Sequence, residues 1–441
     1  MTLEGIKKWR RNSLNRRILI ISFLFHDTEA IGSIRIRGLL RYLPEFGWDP
    51  IVLTSKSKKN DEIIKDVIDT PFEDSLIKWK KNLGLSLDET IKEQFRISTR
   101  KNKKDYFDLI LKLWNEIFSY PDGYASWRKI GVEYGKKLLN EGGIDAILTS
   151  SDPVTCHMIG SDLKKYSNCV WIADFRDLWS QNQYYGYSNI RRIIDRRLEK
   201  DILSKADALT TVSIPLTKEL KKMHPEKNIE CIMNGFDPEQ MNHESVASDR
   251  FSIVHTGYLY LGKRDPEMFL KSIEELIGEG VIDSNDLSID FYGYDEGWLR
   301  NEIEKFSFQK QIGIHGKVSR DEAIQRQRRA QILLLITWND KKDRGVYTGK
   351  LFDYLAAKRP ILSIGARGSV IEDLLNDTQA GAHVTSLEEI KKKIVEFYYE
   401  FKTNGHIGYR SNLEEIAKYD QRKMAMKFAK LLDNITPDDS S

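Results

Sequence analysis

The chain has few of the residues that staple or ligate a fold. Three cysteines, Cys156, Cys169 and Cys231, occur in 441 residues. They show no metal-ligand spacing and no even set for disulfides, which favours a reducing, cytoplasmic setting. The eight histidines form no HExxH pair, so that zinc-protease signature is missing. GxGxxG is absent as well, which removes the dinucleotide fingerprint of an oxidoreductase. No apolar run approaches the roughly 18–20 residues that cross a bilayer. A net charge of +3 is too small to make nucleic acid the main partner. No internal repeat or low-complexity tract stands out.

Two look-alikes are set aside on spacing. KKWRRNSLNRR ahead of ILIISFLF imitates a signal peptide, but the apolar run is short, no small-residue cleavage site follows, and His26 and Asp27 come at once. That run reads as the first buried strand of a parallel sheet. The basic leader 7–17 reads as a solvated tail, with anionic lipid as its alternative partner. GVYTGKL resembles a Walker A loop. Yet Gly345 and Gly349 are separated by three residues, and Leu351 follows Lys350 where a magnesium-binding hydroxyl belongs.

The composition is that of a soluble globular chain, long enough for two or three domains. Short apolar strands are expected at 17–23, 50–53, 145–149, 170–174, 208–212 and 231–233. A second series is expected at 252–256, 287–292, 312–315, 332–337, 361–364 and 382–384. Amphipathic helices such as 34–43 and 190–205 alternate with them. Strand–helix alternation with continuously apolar strands predicts an α/β chain of two doubly wound, Rossmann-like parallel-sheet domains. Ligands bind outside the carboxyl ends of such strands, so the two domains are expected to face one cleft. The Asn234-Gly235 turn places the boundary. The expected division is 1–237, a linker 238–250, a second domain 251–411, and a last helix over 412–435. Residues 55–135 are too long for an ordinary crossover. Within them, 78–104 carries nine Lys/Arg against three acids, and aromatics then recur at helical spacing to Phe118. A peripheral membrane contact through 78–118 suits that order; a charged loop beside a packed helix accounts for it equally well.

The densest motif is 345–360, GVYTGKLFDYLAAKRP. A strand, a glycine- and hydroxyl-bearing loop and a helix N-terminus in succession form an anion site, because free N–H groups and the helix dipole point outward together. Lys350 and Asp353, three residues apart, share one face of that helix. A cation for phosphate beside a carboxylate for sugar hydroxyls suits a nucleotide sugar.

With this motif stand WIADFRDLW at 171–179, ADALTTVS at 206–213, MNGFDP at 233–238 and HTGYLYLGKRDP at 255–266. Together, in that order, they make the chain resemble the GT-B fold nucleotide-sugar glycosyltransferases. The likeness is greatest to the retaining family-four enzymes of polysaccharide and lipopolysaccharide biosynthesis. It spans nearly the whole chain and is weakest over 55–135. It implies a GT-B architecture with acceptor binding in the first domain and donor binding in the second. It also implies a final helix that crosses back to the first domain. The implied activity is transfer of a sugar, with retention, from a nucleoside diphosphate sugar to a glycan or lipid-linked acceptor. No metal or other cofactor is expected.

The resemblance also assigns residues. Lys263 and Arg264, following Gly257, meet the donor diphosphate, with Lys350 sharing that role. Asp353 falls on the second of two acids spaced by seven residues and accepts from the ribose hydroxyls, as a shorter Asp in place of the commoner Glu. The first acid falls on Gly345, which has no side chain; Asp343 is a nearby substitute. From position alone, Tyr347, Thr348 and Gly349 join the donor set, and Val318 offers backbone groups to the base. Gly32, after the first strand, lets the donor approach backbone closely. Asp152 and His157, after the strand at 145–149, are candidates to polarise the acceptor hydroxyl. Asp174, Arg176 and Asp177 either order the acceptor or form a buried ion-pair network. Arg35 and Arg37 read as surface charges. Two other readings stay open: a sugar-nucleotide epimerase of the same fold, and a non-catalytic, membrane-associated partner of a glycan assembly complex.

Overall fold

The structure is a computed structural model. It describes residues 15–28, 30–56, 64–72, 116, 120–141, 143–167, 169–242, 245–260, 262–294, 297–338, 340 and 344–437. The basic and aromatic stretch 78–118 apart from Glu116, the leader 7–14 and Asp343 lie outside the described residues. The chain divides into two compact units. Unit 1 takes the described residues up to Ile232 and those from Ala425 onward; unit 2 is Met233–Met424. The division falls ahead of Asp237, so the Asn-Gly turn belongs to unit 2.

In unit 1 the strands are β1 (Arg16–Ile21), β2 (Trp48–Ser55), β3 (Val67–Thr70), β4 (Ala146–Ser151), β5 (Val170–Phe175), β6 (Ala208–Thr211) and β7 (Asn228–Cys231). They form one sheet in the order β3-β2-β1-β4-β5-β6-β7, and each neighbouring pair is parallel. Every residue of β4 and β5 is buried, which is why their sequences run apolar without alternation. The helices are α1 (Ile31–Tyr42), α2 (Trp127–Glu141), α3 (Thr155–Ser167), α4 (Asn189–Leu203) and α5 (Ile214–Met223). The core joins Leu19, Ile147, Ile159, Trp171 and Leu209 between sheet and helices. Residues after Ala425 pack in this unit: Trp48 Nε1 donates to Asp433 Oδ1 at 2.9 Å, and the Arg35 guanidinium lies 5.0 Å from the Phe428 ring centre.

Unit 2 holds β8 (Phe251–Thr256), β9 (Leu287–Tyr292), β10 (Ile312–Gly316), β11 (Ile332–Ile336), β12 (Ile361–Ile364) and β13 (Gly381–Val384). The order is β10-β9-β8-β11-β12-β13, again parallel throughout. Its helices are α6 (Glu267–Gly278), α7 (Trp298–Ile303), α8 (Arg320–Arg329), α9 (Gly349–Ala357), α10 (Val370–Thr378), α11 (Leu387–Asn404) and α12 (Leu413–Ile416). The last helix, α13 (Gln421–Ile435), begins here and continues into unit 1. In each sheet the strand order reverses once, between β1 and β4 and between β8 and β11. Those reversals are where this architecture places ligands.

Besides β7, which lies at Asn228–Cys231 where 231–233 was expected, two expectations change. The single helix over 412–435 is broken at Asp420, whose backbone is extended. The MNGFD turn causes the break. Phe236 N donates to the Tyr419 carbonyl at 3.0 Å, and Gln421 N donates back to the Phe236 carbonyl at 2.9 Å. A side chain on Gly235 would strike the Tyr419 carbonyl, so this close backbone approach requires glycine. The other change is β3. Only four residues long and half polar (VIDT), it pairs on β2 within the segment that sequence left unassigned.

Candidate functional site

Unit 2 gathers most of the donor set at the carboxyl ends of β8, β10 and β11 and the start of α9. Tyr354, one turn into α9, anchors the helix. Its hydroxyl accepts from Thr256 N at 3.0 Å and donates to the Leu334 carbonyl at 3.3 Å. Lys350 is thereby aimed back toward β8, with Nζ 3.0 Å from His255 Nε2. His255 Nδ1 lies 2.9 Å from the Leu334 carbonyl. A carbonyl only accepts, so Nδ1 carries the proton and Nε2 offers its lone pair to the lysine. Burial and then the charge of Lys350 hold the His255 pKa well below its usual value. Burial and then the Arg264 charge do the same to Lys350. The lysine therefore sits where its positive charge is poorly supported by protein alone.

The helix start is incomplete in a second way. Ser188, Ser213, Ser319, Ser369 and Ser386 each cap a helix by accepting from a first-turn amide. Thr348 occupies the same position on α9 and makes no such bond. Its Oγ1 is buried without a partner among the described residues. Gly257 lies beside Lys350 at φ +99°, and a Cβ there would come within 2.7 Å of Lys350 Cε. Only glycine admits the lysine stem to this position.

Around this centre lie cations and aromatic rings. Lys263 Nζ stands 4.9 Å from the Trp338 ring centre, and the Arg264 guanidinium 4.5 Å from that of Tyr260. Tyr258 meets Tyr260 at 4.6 Å and Tyr294 at 5.7 Å. Tyr260 also meets Trp338 at 5.8 Å, which links the loops after β8 and β11 at the switch point. Lys317 Nζ reaches the Tyr294 hydroxyl at 3.2 Å. Val318 is half-buried against the core that includes Leu351 and Phe352, and the Tyr347 ring lies 5.9 Å from Phe352.

Asp353 faces Arg320 of α8, whose Nη2 donates to Oδ1 at 2.5 Å. Burial outweighs the pull of Arg320 and raises the Asp353 pKa above the usual carboxylate value. Sequence reasoning missed this partner because it comes from another helix. Trp338 and the three tyrosines were missed too, although their place directly after strand runs was a readable signal.

In unit 1 the candidates separate. Asp174 is wholly buried and accepts from Arg35 Nε at 2.9 Å and Nη2 at 2.8 Å. Ser150 and Thr210 add hydroxyl donors at 3.0 and 2.7 Å. Burial raises its pKa, but Arg35 and these hydroxyls outweigh burial and hold it below the usual value. Asp174 is therefore half of an internal ion pair. Arg35, read as a surface charge, is 1% exposed. His157 is also in the core, not at an open strand end. Its Nδ1 lies 2.7 Å from Thr149 Oγ1, its ring packs 4.4 Å from Phe175, and burial pushes its pKa down to about 3. A neutral, enclosed imidazole has no access to an acceptor.

The remaining unit 1 candidates stay at the strand ends. Arg176 donates to the carbonyls of Ser151 at 2.6 Å and Asp152 at 2.8 Å. Its guanidinium lies directly over Gly32, where any Cβ would overlap it. Gly32 thus makes room for Arg176. Asp152 and Asp177 are exposed. The surrounding protein, then Asp122 and Asp177, push Asp152 up to about 6, against the pull of Arg176. Among the described residues no three His, Cys, Asp or Glu side chains gather as a metal set. No helix among them is long and apolar enough to cross a membrane.

No protein-family model and no curated protein matches the sequence. Solved structures do match along the whole chain. Sucrose-phosphate synthase from Thermosynechococcus elongatus superposes with a TM-score of 0.62 at 12% identity, covering 95% of this chain and 99% of that one. The UDP-glucose complex of Anabaena Alr3699/HepE gives 0.57 at 11% identity, covering 95% and 99%. The chain has the GT-B fold. UDP-GlcNAc 2-epimerase from Methanocaldococcus jannaschii matches at 0.51 and 13% identity, covering 96% and 100%. At these identities the likeness is one of fold, and function rests on the site.

Proposed function

We propose that the chain is a glycosyltransferase. It moves a sugar from a nucleoside diphosphate sugar to a glycan or lipid-linked acceptor, with retention, in the cytoplasm. The observation that carries this reading is the unfinished anion site of unit 2. A buried hydroxyl at Thr348, an uncapped helix start and a charge-starved Lys350 converge beside Gly257. A diphosphate supplies acceptor oxygens to the hydroxyl and the helix start, and negative charge to the lysine. The UDP-glucose bound by Alr3699/HepE on the same fold supports the choice of ligand.

The donor's diphosphate rests on the first amides of α9 and on Thr348, with Lys350 as its cation and Lys263 and Arg264 beside it. Asp353, paired with Arg320 through one oxygen, accepts from the ribose hydroxyls. As the glycosidic bond breaks, charge grows on the departing diphosphate, and fixed cations lower that barrier. No metal is needed for this step, so chelator should leave turnover unchanged. In unit 1, Asp152 accepts the proton of the acceptor hydroxyl, and Arg176 holds the backbone that presents it. Thermal-shift screening against a panel of nucleotide sugars tests the reading, because a ligand of the folded state raises its melting temperature. A rise for at least one nucleotide sugar is expected; indifference to all of them would end it. The epimerase match favours a second reading, in which no acceptor is needed. Product analysis with donor alone separates the two: a changed sugar supports the epimerase. Donor binding without turnover on any crude lipid acceptor would instead leave a non-catalytic partner.

A further inference from the structure

Helix α4 sorts its side chains in an unusual way. Two of its three acids are buried and internally paired. Asp195 accepts from Arg191 Nε at 3.1 Å and from the Tyr185 hydroxyl at 2.5 Å. Glu199 accepts from Ser180 N at 3.0 Å and is fully enclosed. The third, Asp201, pairs with Lys205 at the helix end. Meanwhile Ile190, Ile193 and Ile194 stand 73%, 56% and 46% exposed. Their i, i+3, i+4 spacing puts them on one face. Arg197 lies one turn beyond Ile193 and Ile194 on that face, and Arg196 and Lys200 flank it; all three are exposed.

Single exposed apolar residues are ordinary, but three on adjoining turns of one helix stand uncovered among the described residues. The cations among them narrow the choice of partner. A surface that pairs isoleucine with three exposed cations against one exposed acid, Asp201, itself paired with Lys205, matches a phase that is apolar within and negative at its boundary. We propose that this face of α4 docks on an anionic lipid bilayer. The isoleucines enter the boundary of the acyl region, and Arg196, Arg197 and Lys200 stay at the headgroups. This surface differs from the stretch 78–118 that composition singles out. It also fits an enzyme whose acceptor is lipid-linked, yet it rests on α4 alone and does not depend on donor chemistry.

Cosedimentation of the full chain with vesicles tests it. Phosphatidylcholine vesicles with and without phosphatidylglycerol are compared for wild type, for the triple variant Arg196→Gln, Arg197→Gln, Lys200→Gln, and for Ile190→Ser, Ile193→Ser, Ile194→Ser. All substituted side chains are exposed, and circular dichroism checks that both variants fold. The wild type should bind only the anionic vesicles, and less as salt rises. Loss of three surface cations should weaken binding on the order of a hundredfold, and loss of the isoleucines by about tenfold or more. A wild type that ignores anionic vesicles, or two folded variants that bind as wild type does, would overturn the proposal. So would a wild-type dimer in solution that the isoleucine variant abolishes while vesicle binding stays unchanged, since a second copy would then be the occupant.

Discussion

The two sheets end in opposite electrostatic conditions. At the reversal in unit 1, the most deeply placed charges answer each other: Arg35 and Asp174 are both closed to solvent and bonded in two places. At the reversal in unit 2, Lys350 has a neutral imidazole for its neighbour and Arg264 as a nearby like charge. One end is finished by the chain itself. The other leaves a buried lysine beside a neutral ring and a like charge. Charge at a strand end is thus a poor guide to function until its partner is known. The informative charge is the one that the protein leaves unsupported.

The sharpest way to break this comparison is to remove one member of each set. Arg35→Met leaves a buried, uncompensated carboxylate at Asp174, so unfolding free energy should fall by about 3–5 kcal/mol. Denaturant titration reads this. The same pair also gives a pH signature. Because the folded-state pKa of Asp174 is depressed, its contribution is present above the ordinary carboxylate range and is lost as pH falls through the depressed value. Lys350→Met should do the reverse of Arg35→Met. It leaves stability equal to or above wild type, yet weakens nucleotide-sugar binding by about 2–3 kcal/mol, a loss of affinity of roughly 30- to 160-fold. A smaller effect is expected from Asp353→Ala, about 1–1.5 kcal/mol or roughly tenfold in donor affinity, with the fold intact. Smallest is a change of profile. Turnover should fall as pH drops below about 6, where Asp152 takes up its proton, and Asp152→Asn should lose that acid limb together with most of its rate.

How much of this could be read in the sequence follows the same division. The strand series was legible because fully covered parallel strands run apolar without a break, as in ILLLI at β11. Val67–Thr70 was not, since four residues with a central acid carry no such run. The strand–loop–helix order that starts α9 was legible because strand, glycine, hydroxyl and helix follow one another within a few residues. Arg35 was misread for the opposite reason. Its partner lies 139 positions away, and a helical arginine whose carboxylate comes from a distant strand looks like any surface cation. His157 followed a strand end, but α3 turns it inward onto Phe175, an outcome set by packing rather than by spacing. Arg320 was missed because its meaning depends wholly on Asp353, 33 residues later on another helix.

The central claim is that the start of α9 holds a diphosphate that restores charge to Lys350. Calorimetric titration of nucleoside diphosphate sugars, repeated at alkaline pH in two buffers of different ionisation enthalpy, tests it most directly. The account expects a donor that binds wild type with net proton uptake, and an uptake that disappears in Lys350→Met together with most of the affinity. Equal affinity in the two proteins, with no proton exchange in either, would contradict it.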